Sequence, residues 1–580
     1  MSDAFFVAAT GEAASRTPLY VLLVYMGLLL GLGVMSSRLF RGTSKDYFVA
    51  SQSIGPFMLL MSVFGTTMTG FALVGSSGKA FSQGIGTYGL MASWSGLIHS
   101  AIFFVIGIKL WSFGKKYGYV TQIQFFRDRF DSKQLGYILF PILVLLIIPY
   151  LLVGLISVMK VVQPITSGMF PEAFSLPDKT LPNGKIIPHP LAGGVPGWLS
   201  GLVVSCVVLF YIFFGGVRSA AWANTFQTVV FMITGVIAFY MIADKLGGVA
   251  KAAEIVKDNA PAKLVREGSI GDWHFFSYLL IPLSVGMFPH LFQHWLTAKN
   301  AKSFRLTVIA HPICIAIVWV PCILIGIWAA GLYAAGDLRI PPLPGGGGPN
   351  ANAALATMVR TLVENPFLSG LLMAGILAAI MSSLDSQFVC LGTMFTNDVV
   401  VAAGGKDKYS DKQLIFFSRA FIVAIVAVSY VMALYLQGSS VFSLGVWCFS
   451  GFAALFPLVF AAVYWKRASF GGAVGCIVAT VVTWFYFFYQ DIFLDAGKGH
   501  GEYLVADVMP VTFVFLASAA GMVLGSMFSK PPSKETLDPP PSPRWPGGSW
   551  RFPSGPPSRS IDCPPGVHPS SRSRAFSIPG

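Results

Sequence analysis

The chain has 580 residues, of which 54% are hydrophobic and only 11% charged, and its mean hydropathy is +0.69. A soluble domain carries about 25% charged residues, so this composition excludes an ordinary soluble protein. The formal net charge of +14 does not call for a nucleic-acid partner, because basic loops beside an anionic membrane leaflet give the same balance. The composition predicts an all-α polytopic membrane protein embedded in a lipid bilayer.

Apolar stretches long enough to cross a bilayer recur along the chain. They predict about thirteen transmembrane helices, at 19–36, 55–78, 85–112, 136–162, 196–214, 221–243, 274–296, 304–334, 366–400, 412–437, 440–464, 468–490 and 508–529. We therefore expect one membrane domain over residues 19–529, preceded by an extracellular segment, 1–18. Residues 530–580 are rich in Pro, Ser and Arg, which predicts a disordered cytoplasmic tail.

Basic residues predict how the helices are oriented. With thirteen spans, the basic loops all fall on one side of the membrane: 37–54, 113–135, 297–305, 402–412 and 465–467. On the other side, loop 244–273 balances five basic against five acidic residues, and loop 491–507 is acidic. Because short cytoplasmic loops carry an excess of Lys and Arg, we expect a multi-pass cell-membrane protein with its N-terminus outside and its C-terminus in the cytoplasm.

Two predicted spans contain residues that interrupt helices. The second holds Gly65 and Gly70 around three threonines, and the seventh holds Pro282, Gly286 and Pro289. Either interruption alone is typical of a simple packing kink, since Gly and Pro are common in membrane helices. The two spans are five apart, however, so residues of about 55–243 and 274–464 form two candidate five-helix repeats. Interrupted helices in corresponding positions of inverted repeats indicate the substrate and ion site of a secondary transporter.

The ninth span carries a polar cluster, Ser382, Ser383, Asp385 and Ser386, inside an apolar helix. Polar groups at bilayer depth are costly unless they are paired or used, so the cluster is a candidate functional site. Adjacent serines point about 100° apart on a helix, but they can flank one small ion. The alternative is that each hydroxyl only bonds back to a carbonyl in the preceding turn.

Five motifs, in order, resemble those of the sodium:solute symporter family, which includes sodium/proline, sodium/pantothenate, sodium/glucose and choline transporters. The resemblance covers roughly residues 19–490. The motifs are Lys45–Ala50, Tyr211–Val217 with Trp222 to Gln227, Ala378–Ser386, Phe395–Asp398, and Trp465–Arg467 with Gly472 and Ala473.

The resemblance implies a leucine-transporter-like fold of two inverted five-helix repeats (5+5), alternating access, and sodium as the coupling ion, with no organic cofactor. It also implies a sodium site formed by the main-chain carbonyls of Gly65, Met68 and Ala379 and the hydroxyls of Ser382 and Ser383. Elementary chemistry agrees, because a hard cation prefers oxygen ligands and an unwound helix supplies free carbonyls.

One position departs from the family's pattern. Where many members carry Asp in a Trp-Thr-Asp motif, a position linked to a further sodium site in some of them, this chain has Asn224. We therefore expect one sodium ion per substrate. Asp385 is a possible second ion or proton site, but it lies about 200° around the helix from Ser383. A position facing a neighbouring helix, paired or protonated, is the other interpretation.

The solute is predicted only as a class. Residues near the two interruptions that could line its cavity are Thr66, Thr67, Thr69, Trp94, Ser95, Phe288, His290 and Gln293. Histidine and glutamine at a broken helix favour a small polar solute, although an interhelical hydrogen bond is the simpler role for a buried histidine. A free helix N-terminus can hold a carboxylate. We expect an amino acid such as proline or a small monocarboxylate, with a sugar, polyol or vitamin as the alternative.

Other classes are less favoured. A sodium-independent facilitator or channel would not need the serine pair, and a membrane sensor would need a signalling domain that the sequence after residue 530 does not suggest. No HExxH, Walker A or nucleophile-elbow motif occurs in a suitable context, so we expect neither an enzyme nor an ATP-driven pump. The sequence leaves the oligomeric state open, and a monomer would suffice for transport.

Overall fold

We describe a computed structural model of the chain. It describes residues 15–38, 42–177, 179–180, 186–187, 189–343, 348–405, 408–492, 494 and 503–533. Most of the predicted extracellular segment, 1–18, and nearly all of the predicted tail, 530–580, lie outside the described residues.

The described part is almost entirely helical. The helices are α1 (Thr17–Ser37), α2 (Ser44–Val49), α3 (Pro56–Thr67), α4 (Phe71–Gln83), α5 (Gly86–Tyr117), α6 (Gln122–Arg129), α7 (Lys133–Ile165), α8 (Gly197–Lys245), α9 (Val249–Asn259), α10 (Asp272–Gly286), α11 (Pro289–Thr297), α12 (Ser303–Ala335), α13 (Ala354–Leu362), α14 (Pro366–Gly404), α15 (Asp411–Tyr435), α16 (Val441–Tyr464), α17 (Phe470–Ile492) and α18 (Pro510–Met527). A two-residue hairpin pairs β1 (Lys179–Thr180) with β2 (Ile186–Ile187).

Among the described residues, ten helices are long and apolar enough to cross a membrane, or twelve when each of two bent pairs counts as one span. These spans lie where apolar stretches predicted them. A polytopic all-helical membrane protein is therefore confirmed.

Helix α8 explains why the sequence predicts one span more. Its 49 residues contain Gly216 in a non-helical conformation, with φ 55° and ψ −139°. Tyr211 and Asn224, on either side of it, both reach the carboxylate of Asp385. In a straight helix they would lie ~20 Å apart, so α8 folds back at Gly216 into two arms, which match the separately predicted spans 196–214 and 221–243.

Both predicted interruptions are present. The axes of α3 and α4 differ by 57°, and those of α10 and α11 by 50°. In the first break, residues 68–70, Met68 leaves the helix with φ −90° and ψ 93°. In the second break, residues 287–288, Phe288 has φ −63° and ψ 119°, and Pro289 begins the next helix. Proline is suited to that first position because its missing N–H is not needed there.

The loops separate into two sets. On one side, Arg218 at the fold of α8 forms an ion pair with the buried Asp46 of α2 at 2.6 Å, and Thr121 donates to Asp398 at 2.9 Å. On the other side, Asn352 donates to the Ser439 carbonyl at 3.0 Å. Loops predicted on the same side of the membrane therefore contact one another. This is required if successive spans cross the membrane in opposite directions.

Helix α14 lies in the interior of this bundle. In its most apolar window 83% of its residues are buried, against 33% for α1 and α15. The helix that carries the polar cluster therefore faces protein on all sides, where a polar group must find a partner.

Candidate functional site

The first break meets α14 at the serine pair. Ser382 Oγ donates to the Gly65 carbonyl of α3 at 2.8 Å and lies 2.9 Å from the Ala379 carbonyl of its own helix. Gly65 also lets α3 pack closely against α8, since a Cβ there would lie 2.3 Å from Thr228 Oγ1. Three of the five predicted sodium ligands are thus in direct contact.

The other two predicted ligands are buried in the same elements. Ser383 Oγ donates to the Ile380 carbonyl at 2.9 Å, and Met68 forms the non-helical end of α3. Both residues are at most 1% exposed. The serine hydroxyls therefore do bond back within α14, as the simpler interpretation predicts. Ser382 also reaches across to the first break.

Asp385 faces the two arms of α8. Its carboxylate accepts from the Tyr211 hydroxyl at 3.1 Å, and Ser386 Oγ lies 3.1 Å from its other oxygen. In the amide orientation that satisfies both of its ends, Asn224 places its nitrogen 2.9 Å from each carboxylate oxygen and 3.0 Å from the Ser382 carbonyl. Asp385 thus contacts a neighbouring helix pair, one of the two positions considered from the sequence.

His294 of α11 connects this group to the first broken helix. One ring nitrogen lies 3.2 Å from Ser62 Oγ on α3, and the other lies 2.9 Å from Ser386 Oγ on α14. The buried side chain of His294 therefore links the first broken helix and the serine cluster of α14 to the second broken span.

Aromatic rings surround the second break. Phe288 stacks on Tyr150 of α7 at 5.5 Å and on His290 at 5.0 Å between ring centres. Phe449 of α16 contacts both Tyr150 and Phe288, and also Phe71 at the start of α4, at 4.8 Å. We call Phe71, Tyr150, Phe288, Phe442, Phe449 and Phe452 the ring cluster; all six are at least 90% buried.

Of this cluster, only Phe288 is predicted from the sequence. In an apolar span, Tyr150 or Phe449 has the same appearance as any core aromatic residue. The spacing of Phe442, Phe449 and Phe452 on one helix was the only local signal available.

His290 is completely buried against the ring cluster, and neither of its ring nitrogens has a hydrogen-bond partner among the described residues. Buried polar atoms are usually paired, so such an exception needs an explanation. Thr66, also fully buried, has an unpaired hydroxyl in the part of the chain that the structure describes. These are the predicted solute residues with free polar atoms.

Three other residues predicted to bind the solute, Thr67, Thr69 and Trp94, have hydrogen-bond partners in the protein. Thr67 lies 3.3 Å from His311 Nε2, and the Thr69 hydroxyl accepts from the main-chain N–H of Phe71. Trp94 donates to the Phe275 carbonyl at 3.2 Å, and Ser95 is buried in α5.

Gln293 holds α11 against other helices. Its amide nitrogen donates to the Phe48 carbonyl of α2 at 2.8 Å and lies 2.9 Å from Thr393 Oγ1 of α14. A second glutamine, Gln122 of α6, was not singled out from the sequence. Its amide donates to the Met287 carbonyl, in the second break itself, at 3.0 Å.

An apolar cavity lies elsewhere, between α8, α12 and α14. It is lined mainly by side chains such as Phe231, Ile317 and Leu372. Ligand sites combine an apolar wall with several convergent polar groups. This cavity therefore fits a polar solute less well than the surroundings of His290 do.

Comparison with known proteins agrees with this geometry. The model of the sodium:solute symporter family matches residues 47–170 and 192–479. The chain belongs to the sodium:solute symporter family. It is 24% identical over 540 residues to the sodium/proline symporter of Escherichia coli (strain K12), covering 90% of this chain and 95% of that relative. It is 25% identical over 478 residues to the sodium/proline symporter of Staphylococcus aureus (strain JH9), covering 80% of this chain and 84% of the relative.

A solved structure shows the same fold. The substrate-bound, outward-open structure of a Na⁺-coupled sialic acid symporter superimposes with a TM-score of 0.67 at 18% sequence identity, covering 89% of this chain and 99% of the other. The predicted fold class is confirmed. The protein is a sodium-coupled transporter of a small solute across a membrane and not an enzyme.

Proposed function

We propose that this symporter couples the entry of one Na⁺ to the uptake of one small carboxylate-bearing solute, an amino acid such as proline or a small monocarboxylate, by alternating access. The single observation that supports this most is the contact between Ser382 and the Gly65 carbonyl at the first break. It joins a hydroxyl of one repeat to a main-chain oxygen released in the other.

The sodium site consists of neutral oxygens only: the carbonyls of Gly65, Met68 and Ala379 and the hydroxyls of Ser382 and Ser383. Such ligands suit a hard cation. Because none of them carries a charge, binding is moderate, and the ion can be released in every transport cycle. When sodium binds, the two serine hydroxyls turn from their carbonyl acceptors and offer lone pairs to the ion.

The solute site lies at the second break. His290 supplies one donor and one acceptor, and the N-terminus of α11 supplies N–H groups with a positive dipole end. Together they suit one carboxylate, while the ring cluster suits a compact apolar body or the ammonium group of an amino acid. The names of the sodium/proline symporters that the chain resembles agree with this class.

A sugar or polyol fits the proposed solute site less well. Each of its hydroxyls needs a partner once it is buried, and an unpaired one costs about 1–3 kcal/mol. The ring cluster, His290 and the few hydroxyls near the second break cannot form hydrogen bonds with all five hydroxyl groups of a typical sugar. Vitamins with a carboxylate remain compatible with the polar end of the site.

We also propose that the N-terminus is outside the cell and the C-terminus in the cytoplasm. Two observations support this. The basic loops 37–54 and 113–135 both contact the basic loop 297–305, through Ile54 and Lys115, and the loop containing Asp507 contacts the start of α10 on the other side. The positive-inside rule assigns the basic set to the cytoplasm.

Uptake into proteoliposomes tests the function. Labelled proline, a set of small monocarboxylates and glucose are each offered with an inward Na⁺ gradient, with K⁺ outside, and with choline outside. We expect Na⁺-dependent uptake of one carboxylate-bearing solute and none of glucose. Equal uptake rates in all three salts would exclude symport, and Na⁺-driven uptake of glucose alone would refute the solute class. Thermal shifts of the purified protein, with and without Na⁺, identify the solutes to label.

A further inference from the structure

Asp385 is a buried carboxylate with neutral neighbours. It is 0% exposed, and the groups that reach it are the hydroxyls of Tyr211 and Ser386 and the amide of Asn224. A charge at this depth is costly unless it is compensated. The proposed sodium site alone, with its neutral oxygens, gives no reason for a carboxylate here.

The neighbours of Asp385 are hydrogen-bond donors. With its amide turned so that both of its ends are satisfied, Asn224 places its nitrogen 2.9 Å from each carboxylate oxygen, and an amide NH₂ in that orientation has no lone pair with which to bind a cation. Tyr211 donates to the carboxylate from the other arm of α8. Each of these donors favours the ionised form of the carboxylate, and together they occupy both of its oxygens.

The same amide joins Asp385 to the proposed sodium site. The Asn224 nitrogen lies 3.0 Å from the Ser382 carbonyl, and the Ser382 hydroxyl in turn contacts Gly65 at the first break. The carboxylate of Asp385 is therefore linked to the proposed ligand Ser382 through a single side chain, that of Asn224. Both lie in a low-dielectric interior, where unit charges interact strongly.

We infer that Asp385 is the buried counter-charge of the coupling sodium ion: it attracts the ion through space and is neither one of its ligands nor a second cation site. It is a positioning residue whose carboxylate Asn224 and Tyr211 hold in place. The inference rests on the proposed sodium site. It also gives Asn224 a role, because the charge that the family's pattern places on this arm of α8 is here carried by α14.

Two variants test it: Asp385→Asn, and the same change combined with Asn224→Asp. Asp385→Asn removes the charge and keeps the shape. The combined variant restores one carboxylate and one amide with their positions exchanged. For each, the Na⁺ concentration for half-maximal uptake and the number of charges moved per solute are measured in proteoliposomes, with thermal melting as the measure of folding.

We expect Asp385→Asn to raise the half-maximal Na⁺ concentration at least tenfold, equivalent to ~1.4 kcal/mol, with the charge moved per solute unchanged. The combined variant should return to within about threefold of the parent, because the interaction depends on a charge at this place and not on which helix carries it. A merely structural aspartate would instead lower the melting temperature in Asp385→Asn and leave the half-maximal Na⁺ concentration close to that of the parent.

Three results would overturn the inference. A fall in the charge moved per solute in Asp385→Asn would make Asp385 a ligand of a second ion. A change from Na⁺-driven to pH-driven uptake would make it a proton carrier. A combined variant that folds but is no better than Asp385→Asn would remove the electrostatic explanation. These outcomes are separate from failure of the proposed function, which would appear in the parent protein as uptake that ignores Na⁺.

Discussion

The two broken spans solve the same problem in different ways. Each releases main-chain oxygens inside the membrane, where lipid cannot satisfy them. At the first break a serine hydroxyl from α14 meets the freed carbonyl of Gly65. At the second break the amide of Gln122, from outside the membrane spans, meets the freed carbonyl of Met287.

This difference decides what each break can bind. A hydroxyl has lone pairs, so it can turn from the carbonyl and join it as a ligand of one cation. An amide nitrogen only donates and keeps the carbonyl occupied. This agrees with the proposal that the first break binds the ion and that the second binds a solute through His290 and the ring cluster. An interrupted helix alone does not identify an ion site; the group opposite the freed oxygen does.

The largest effect is expected at the first break. Replacing both Ser382 and Ser383 by Ala removes two of the proposed sodium ligands, and we expect the half-maximal Na⁺ concentration to rise at least tenfold, a loss of ~1.4 kcal/mol or more. Na⁺-dependent uptake in proteoliposomes measures it. Ser369→Ala, another buried serine of α14, is the control and should leave Na⁺ dependence unchanged. Unaltered Na⁺ dependence in the double variant would place the sodium site elsewhere.

The sequence predicts the two breaks and the serine cluster because each has a local cause. Glycine lowers helix propensity at Gly65, and Pro289 cannot continue a helix from the residues before it, while hydroxyls in an apolar stretch stand out. The fold of α8 is predicted for the same reason, since polar residues and two glycines separate its apolar arms around Gly216.

What the sequence does not predict depends on distant partners. Gln293 has the appearance of a solute ligand, but its amide is taken by Phe48, which is 245 positions away in the chain. Tyr150 lies beside Phe288 only because α7 and the second break pack together. The position of Asp385 between the arms of α8 is likewise a tertiary fact, which helical periodicity limits but cannot specify.

At the second break the expected effect is on the solute. His290→Phe keeps a ring against Phe288 but removes both nitrogens, so the solute loses about one hydrogen bond, worth roughly 1 kcal/mol. We expect the half-maximal solute concentration to rise about fivefold, while the Na⁺ concentration for half-maximal uptake changes less than about twofold. His290→Gln, which retains a donor and an acceptor, should recover part of the loss.

His99→Phe is the control for this variant, since His99 is another buried histidine in contact with an aromatic ring. If it weakens solute uptake as much as His290→Phe does, the effect comes from loss of a buried polar group in general. A larger change in Na⁺ dependence than in solute dependence would contradict the assignment of the solute to the second break.

We expect the smallest effect on transport from Gln122, which donates to a main-chain carbonyl at the second break and is not one of the proposed ion or solute ligands. Gln122→Met retains much of the side chain but leaves the Met287 carbonyl without its donor, at a cost of about 1–3 kcal/mol. We expect a lower melting temperature of the purified protein and at most about a twofold change in either half-maximal concentration. Gln124→Met, on the same helix but bonded only to the Val120 N–H in the described structure, should melt closer to the parent. If Gln122→Met instead changed the Na⁺ dependence tenfold, the freed carbonyl at the second break would itself be part of an ion site, and the distinction between the two breaks would be wrong.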